Sequence, residues 1–209
     1  MSDKKALDKK GAKHTSYLRT PSGKNVVMLS ANALSTKQEY NLYGKNWVDD
    51  KAVAQLCRRL KGNATLSFLG FRNCTNVSDK GVGILAKLLS SEQYRPTALK
   101  KLILEFTGVG DAGVVALASC LACTALERLD FGQCTKVGDP GVLALATALH
   151  TNSTLRILVL TNCKYVTDVG GAALIDMLQH NRTLKTVNIN GTGISSGLRR
   201  QIQAALKGR

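Results

Sequence analysis

No apolar run in this 209-residue chain approaches the roughly 18 residues that a membrane span requires. The opening MSDKKALDKKGAKH contains no apolar stretch of signal-peptide type. Asp3 and Asp8, with no arginine stripe, argue against a mitochondrial presequence. Without a secretory signal, the six cysteines are expected to be thiols in a reducing compartment, and the expected location is cytoplasmic, with nucleus or cytoskeleton as variants. Acidic residues are few beside the basic ones: 14 Asp and Glu face 29 Lys and Arg, a formal net charge of +15. Such a balance points to an acidic partner. A content of 44% hydrophobic residues excludes a wholly disordered chain, and the length suits one domain with a real core.

What is present in abundance is repetition. From Leu66 the chain reads L-S-F-L-G-F-R-N-C and then V-S-D-K-G-V-G-I-L-A-K-L-L; the same phrasing restarts at Leu99, Leu126, Leu155 and Leu184, at intervals of 33, 27, 29 and 29 residues. A degenerate unit precedes these, because Val48, Asp50, Val53 and Leu56 have the spacing of Val77, Asp79, Val82 and Leu85. Alternation within L-x-x-L-x-L predicts a short strand whose leucines face inward. A turn follows, then an aspartate expected to cap the next helix: Asp50, Asp79, Asp111, Asp139 and Asp168, with Ser196 in that slot of the last unit. Asn63, Asn152 and Asn181 open N-x-T sequons where one unit meets the next, and are expected to supply the helix C-terminal turn.

The V-x-D-x-G…L-A-x-x-L…N-x-T-L phrasing over residues 38–209 resembles the ribonuclease-inhibitor-like class of leucine-rich repeat proteins. The resemblance implies an α/β solenoid of about six strand–helix units, with a concave parallel sheet and helices on the convex side. It implies a binding scaffold and names no ligand. The expected organisation is a basic flexible arm over residues 1–25, a cap with the degenerate first repeat over 26–61, and repeats with a C-terminal capping helix over 62–209.

Sequence motifs that suggest chemistry dissolve in the repeat. Gly108-Val109-Gly110-Asp111-Ala112-Gly113 spells the dinucleotide fingerprint, yet Gly110 and Gly113 occupy turn slots filled in neighbouring units by Gly138 and Gly141. Cys120-Leu121-Ala122-Cys123, expected on a helix, lacks the second pair a zinc site needs. Cys74, Cys134 and Cys163 recur at one slot, with Thr107 and Thr192 as substitutes, and are expected to form a buried column. Asp176 and His180 stand four apart on one helix and are expected to pair at its surface. No serine has a base and an orienting acid at repeat positions that converge, so neither an enzyme nor a bound cofactor or metal is expected.

Charge is distributed unevenly. Residues 1–25 carry a net +5, and so do residues 184–209, whereas 62–183 carry only +2. Lys4, Lys5, Lys9, Lys10, Lys13 and Arg19 are the expected grip of the arm on an acidic macromolecular surface: RNA, a ribosome or an acidic cytoskeletal polymer such as tubulin. On the concave face, Phe68, Ile103, Ile157 and Val159 form an apolar spine, with Arg72, Lys101 and Arg128 among the charges of both signs that surround it. A nucleic-acid groove would be uniformly basic with stacking aromatics, so this face is expected to bind protein. Two other function classes are compatible with the sequence: an RNA- or ribosome-associated factor held by the arm, and a GTPase regulator. The latter rests on resemblance to the leucine-rich Ran GTPase-activating proteins, whose acidic tail is missing here. The insertion around Ser90 to Thr97 is a further candidate contact loop.

Overall fold

A computed structural model describes residues 31–209, together with the backbone of two strands before them. Those strands, β1 (Ser16–Arg19) and β2 (Asn25–Met28), pair antiparallel. The stretch read as an arm is therefore described only where it pairs. Arg19 ends β1, and Lys4, Lys5, Lys9, Lys10 and Lys13 lie outside the described residues. A short helix α1 (Ala31–Ser35) leads into the repeats.

Six strands follow, each of three residues: β3 (Glu39–Asn41), β4 (Phe68–Gly70), β5 (Lys101–Ile103), β6 (Arg128–Asp130), β7 (Ile157–Val159) and β8 (Thr186–Asn188). They form one parallel sheet in sequence order. Helices α2 (Asp50–Arg59), α3 (Asp79–Ser90), α4 (Asp111–Ala118), α5 (Asp139–Leu149), α6 (Asp168–His180) and α7 (Ser196–Leu206) alternate with them. The strands are short because only the central residue of each points into the core: Leu69, Leu102, Leu129 and Leu158 are fully buried, with Val187 nearly so. One strand buries too little apolar surface to stand alone, and stacking its neighbours supplies the rest. Three residues past each strand stands a left-handed residue, Gly44, Asn73, Phe106, Gln133, Asn162 or Gly191, which turns the chain toward the helix. At Gly191 a Cβ would stand 2.0 Å from Asn162 Oδ1, so a larger residue there would have to displace that side chain.

The recurrent aspartates do not cap their own helices. The capping residues are Asp49, Ser78, Gly110, Gly138, Thr167 and Ser195, one position earlier. Asp50, Asp79, Asp111, Asp139 and Asp168 instead reach forward into the next unit. Asp79 Oδ1 accepts from Gly110 N (2.7 Å) and Gly113 N (2.9 Å). Asp111 Oδ1 accepts from Gly138 N (2.8 Å) and Gly141 N (3.0 Å), and Asp139 Oδ1 from Thr167 N (2.8 Å) and Gly170 N (2.9 Å). Each carboxylate thus satisfies orphan N–H groups at the start of the following helix, where the positive helix end also favours its charge. In the receiving unit a glycine, Gly81, Gly113, Gly141 or Gly170, leaves the room: a Cβ at Gly113 would stand 2.7 Å from Asp79 Oδ1.

Burial works to raise the pKa of Asp139, but the bonds from Thr167 Oγ1, Thr167 N and Gly170 N outweigh it and hold the carboxyl below its ordinary value. The folded value is the depressed one. The stability it contributes is therefore complete above the unfolded aspartate value, about 3.9, and drains as pH falls through the folded value. Melting temperature is expected to drop on acidification below about pH 4, and Asp139→Asn to flatten part of that drop while lowering stability at neutral pH. Equal acid slopes in the two proteins would refute the assignment.

Of the junction asparagines, Asn181 is the C-cap of α6, its N–H bonded to Met177 O, as expected, but all three do more than end a helix. None of Asn63, Asn152 and Asn181 adopts a positive φ. Each is buried and acts as a tie. Asn152 Oδ1 accepts from Thr154 N (3.1 Å) and Leu155 N (2.8 Å), while its Nδ2 donates back to Leu121 O (3.2 Å) in the preceding unit. Asn181 repeats the pattern with Thr183, Leu184 and Leu149. A buried, fully bonded amide leaves no place for a glycan in the folded chain.

Candidate functional site

The helix-free face of the sheet holds the candidate site. Parallel pairing puts Phe68, Lys101, Arg128 and Ile157 abreast on β4 to β7, with Gly70, Ile103, Asp130 and Val159 in the next row. Beyond the strand ends, Arg72 and Glu105 form a third row. A cleft of about 560 Å³ opens over these rows. Six of the seven sequence-predicted residues line it; Val159 lies on the same face, half-buried, outside the lining. The apolar floor is Phe68, Ile103 and Ile157. A Cβ on Gly70 would stand 2.9 Å from Phe68 Cε1, so the missing side chain is what lets the ring lie across β4.

Charges around this floor are mostly paired. Arg72 Nε lies 3.0 Å from Glu105 Oε2, and Arg128 Nη2 lies 2.8 Å from Asp130 Oδ2. Asp130 is 4% exposed and also accepts from Gly132 N. Arg128 Nε is buried without a hydrogen-bond partner. At the strand entrance Lys100 Nζ holds Glu127 Oε1 at 2.9 Å. That bond comes first, with the fields of Lys100, Arg156 and Lys101 beside it, in holding the Glu127 carboxyl below its ordinary range. Lys101 and Arg156 have no carboxylate partner of their own among the described residues.

Sequence reasoning missed Tyr43 and Arg156 in the lining of the cleft, and the exposed Phe106 outside it. Tyr43, 55% exposed, lies under the Arg72 guanidinium at 5.7 Å and closes the cleft toward β3. Arg156 enters from the position before β7, because both residues between the paired leucines of L-x-x-L face outward. Phe106, 44% exposed, occupies the left-handed slot filled elsewhere by Gly, Asn or Gln. That contrast between units was visible in the sequence and is the signal that finds it.

The other sequence motifs resolve structurally. In Gly108–Gly113 the N–H groups that a phosphate would need are taken by Asp79. Helix α4 stops at Ala118, so Cys120 and Cys123 lie around a 3₁₀ turn (Leu121–Cys123) and not on the expected helix. Cys120 is buried, with its thiol pushed up to about 11 by burial, while Cys123 is exposed. The expected column forms: Cys74, Cys134 and Cys163 are buried, and their Sγ atoms donate to Leu42 O, Leu104 O and Phe131 O of the preceding units. Burial pushes the Cys163 thiol up to about 12. Asp176 pairs with His150 at 3.2 Å and not with His180, whose ring centroid lies 4.9 Å from that of His150. Two cations of the basic C-terminal stretch are committed to the fold. Arg199 donates to Ile194 O and Thr192 O, and Arg209 to Ala205 O, Asn181 O and Leu178 O.

Residues 96–118, 122–146 and 151–174 match the family model described as Leucine Rich repeat. The chain is a leucine-rich repeat protein. No curated protein matches it. Among solved structures, the tropomodulin C-terminal domain of Caenorhabditis elegans aligns over 85% of this chain and 89% of its own, at 14% identity and a TM-score of 0.56. Actin-binding site 2 of leiomodin-1 aligns over 84% of this chain and 82% of its own, at 17% identity and a TM-score of 0.49. A chain of the yeast Rad7–Elc1 complex aligns over 79% and 47%, also at 17% and 0.49. At these identities the likeness concerns the fold. In this leucine-rich repeat protein, no helix of the described residues is long and apolar enough to cross a membrane.

Proposed function

We propose that this leucine-rich repeat protein is a non-catalytic interaction scaffold. The open face of its sheet docks a protein partner, and the basic N-terminal stretch grips an acidic surface of a larger assembly. The observation that carries the first half is the cleft over Phe68, Ile103 and Ile157, an apolar floor within a polar rim, the anatomy of a protein interface. Glu105 and Asp130 stand within the same cleft and disfavour a phosphate backbone there. The second half rests on the seven basic residues among the first 25.

The test is cross-linking and affinity isolation of partners with the full chain, with Ile103→Asp, and with a chain lacking residues 1–15. A partner held by the sheet is expected to fall away by tenfold or more with Ile103→Asp, since a buried, unpaired carboxylate costs more than about 1.4 kcal/mol. The shortened chain should keep it. Partners insensitive to Ile103→Asp, with the melting temperature unchanged, would remove the sheet from the proposal. The RNA-associated reading places affinity in the arm instead. Seven phosphate contacts would give a log–log salt slope of about −5 on single strands, of which the five lysines removed with residues 1–15 account for about −3.5. RNA binding unchanged by the truncation would end that reading.

A further inference from the structure

The ion pairs on the sheet face leave a charge imbalance with a definite position. The three carboxylates of the cleft each have a cation: Glu105 has Arg72, Asp130 has Arg128, and Glu127 has Lys100. Two lining cations remain, Lys101 on β5 and Arg156 at the entrance of β7. Between them lies β6, where Arg128 is fixed by Asp130 and keeps a buried Nε–H donor with no acceptor. Strand β5 lies two strand spacings, about 9.5 Å, from β7. A group seated over β6 is within reach of both long side chains. Directly beside this point stand Ile157 and, one row on, Ile103, both half-buried.

We propose, building on the reading of the sheet face as a protein-binding surface, that the cleft recognises an acidic–apolar peptide. An Asp or Glu carboxylate of the partner sits over β6 between Lys101 and Arg156, and a neighbouring apolar side chain rests on Ile103 and Phe68. Charge complementarity sets the occupant. A single carboxylate bridges the two cations, which otherwise share only the field of Glu127, whereas the second charge of a phosphate would add to the repulsion from Glu105, Glu127 and Asp130. A polyanion would place successive charges on those same groups. The basic N-terminal stretch of this chain is excluded by like charge. The apolar floor explains why an acid alone is insufficient, since an exposed ion pair contributes at most about 1 kcal/mol.

The experiment is selection of a displayed library of random 12-residue peptides on the full chain, followed by fluorescence polarisation with the selected peptides. Selected sequences are expected to carry Asp or Glu within two or three positions of Phe, Leu or Ile. Binding should weaken about tenfold for Lys101→Glu and for Arg156→Glu, and for Glu→Gln in the peptide. Both protein substitutions are at exposed side chains, and unchanged melting curves confirm folding. Peptides that depend on Ile103 but not on Lys101 or Arg156, or that carry no acid, would overturn this inference and leave the sheet as a protein-binding face. Peptides indifferent to Ile103→Asp, Lys101→Glu and Arg156→Glu alike would overturn both. A phosphoserine in place of the acid that binds tighter would overturn the choice of carboxylate. A single-stranded oligouridylate that binds as tightly as the peptides, with the same dependence on Arg156, would overturn the choice of a peptide.

Discussion

Replacing Phe131 with alanine is expected to cost about 3–5 kcal/mol of folding stability, which for a domain of ordinary stability is a third or more of the total. The ring is fully buried at the centre of the array, just past β6. Its backbone is a node: Phe131 N donates to Val159 O, and its carbonyl accepts from both Cys134 N and Cys163 Sγ. Units on either side cannot close over the void without moving the strand that carries Arg128 and Asp130. Since each unit touches only its neighbours, damage at the centre uncouples the two halves. Urea unfolding should show a lower midpoint, with a shallower slope as cooperativity breaks. A loss below about 1 kcal/mol would show that the centre of the array does not behave as a packed core.

Removal of the Asp111 carboxylate is the second large effect. Asp111→Ala takes the acceptor from Gly138 N and Gly141 N at once, and is expected to cost about 2–3 kcal/mol. Gly141→Ala attacks the same contact from the other side. Its Cβ would stand 2.8 Å from Asp111 Oδ1 and 3.1 Å from Val114 Cβ, for a loss of about 1–3 kcal/mol. In the double variant the methyl group gains the space that the carboxylate vacates, so the loss should be smaller than the sum of the single losses. Strict additivity in thermal melts would mean that the two side chains do not share the site.

How far these features could be read in the sequence depends on the distance over which they act. Period, strand positions and the outward-facing row followed from alternation within nine residues, and the sheet places Phe68, Lys101, Arg128 and Ile157 abreast accordingly. The aspartates were misjudged because the helix start beside each one is visible in sequence. Its true partners lie about 28 and 31 residues further on, as for Asp50 with Ser78 and Gly81. The same holds for Asn152, whose acceptor Leu121 O belongs to the preceding unit. Net charge revealed the excess of cations but not which are taken. That Arg128 selects Asp130 on its own strand, leaving Lys101 and Arg156 over, depends on side-chain reach across the sheet. The shortening of α4 follows from its 27-residue unit, which has room for a 3₁₀ turn in place of the last helical turn.

The forward reach of the aspartates gives the array a direction and a module. A unit offers a carboxylate to its successor and receives its predecessor's on its own turn N–H groups. Any segment cut at equivalent points therefore carries one giver and one receiver. Duplicating or deleting one whole unit leaves no carboxylate and no turn without its counterpart. A change of a few residues breaks that correspondence unless it falls in the helix-to-strand loop. The extra residues before Leu99 fall there, between Ser90 and Thr97, in the one span of the unit that the aspartate handshake does not measure.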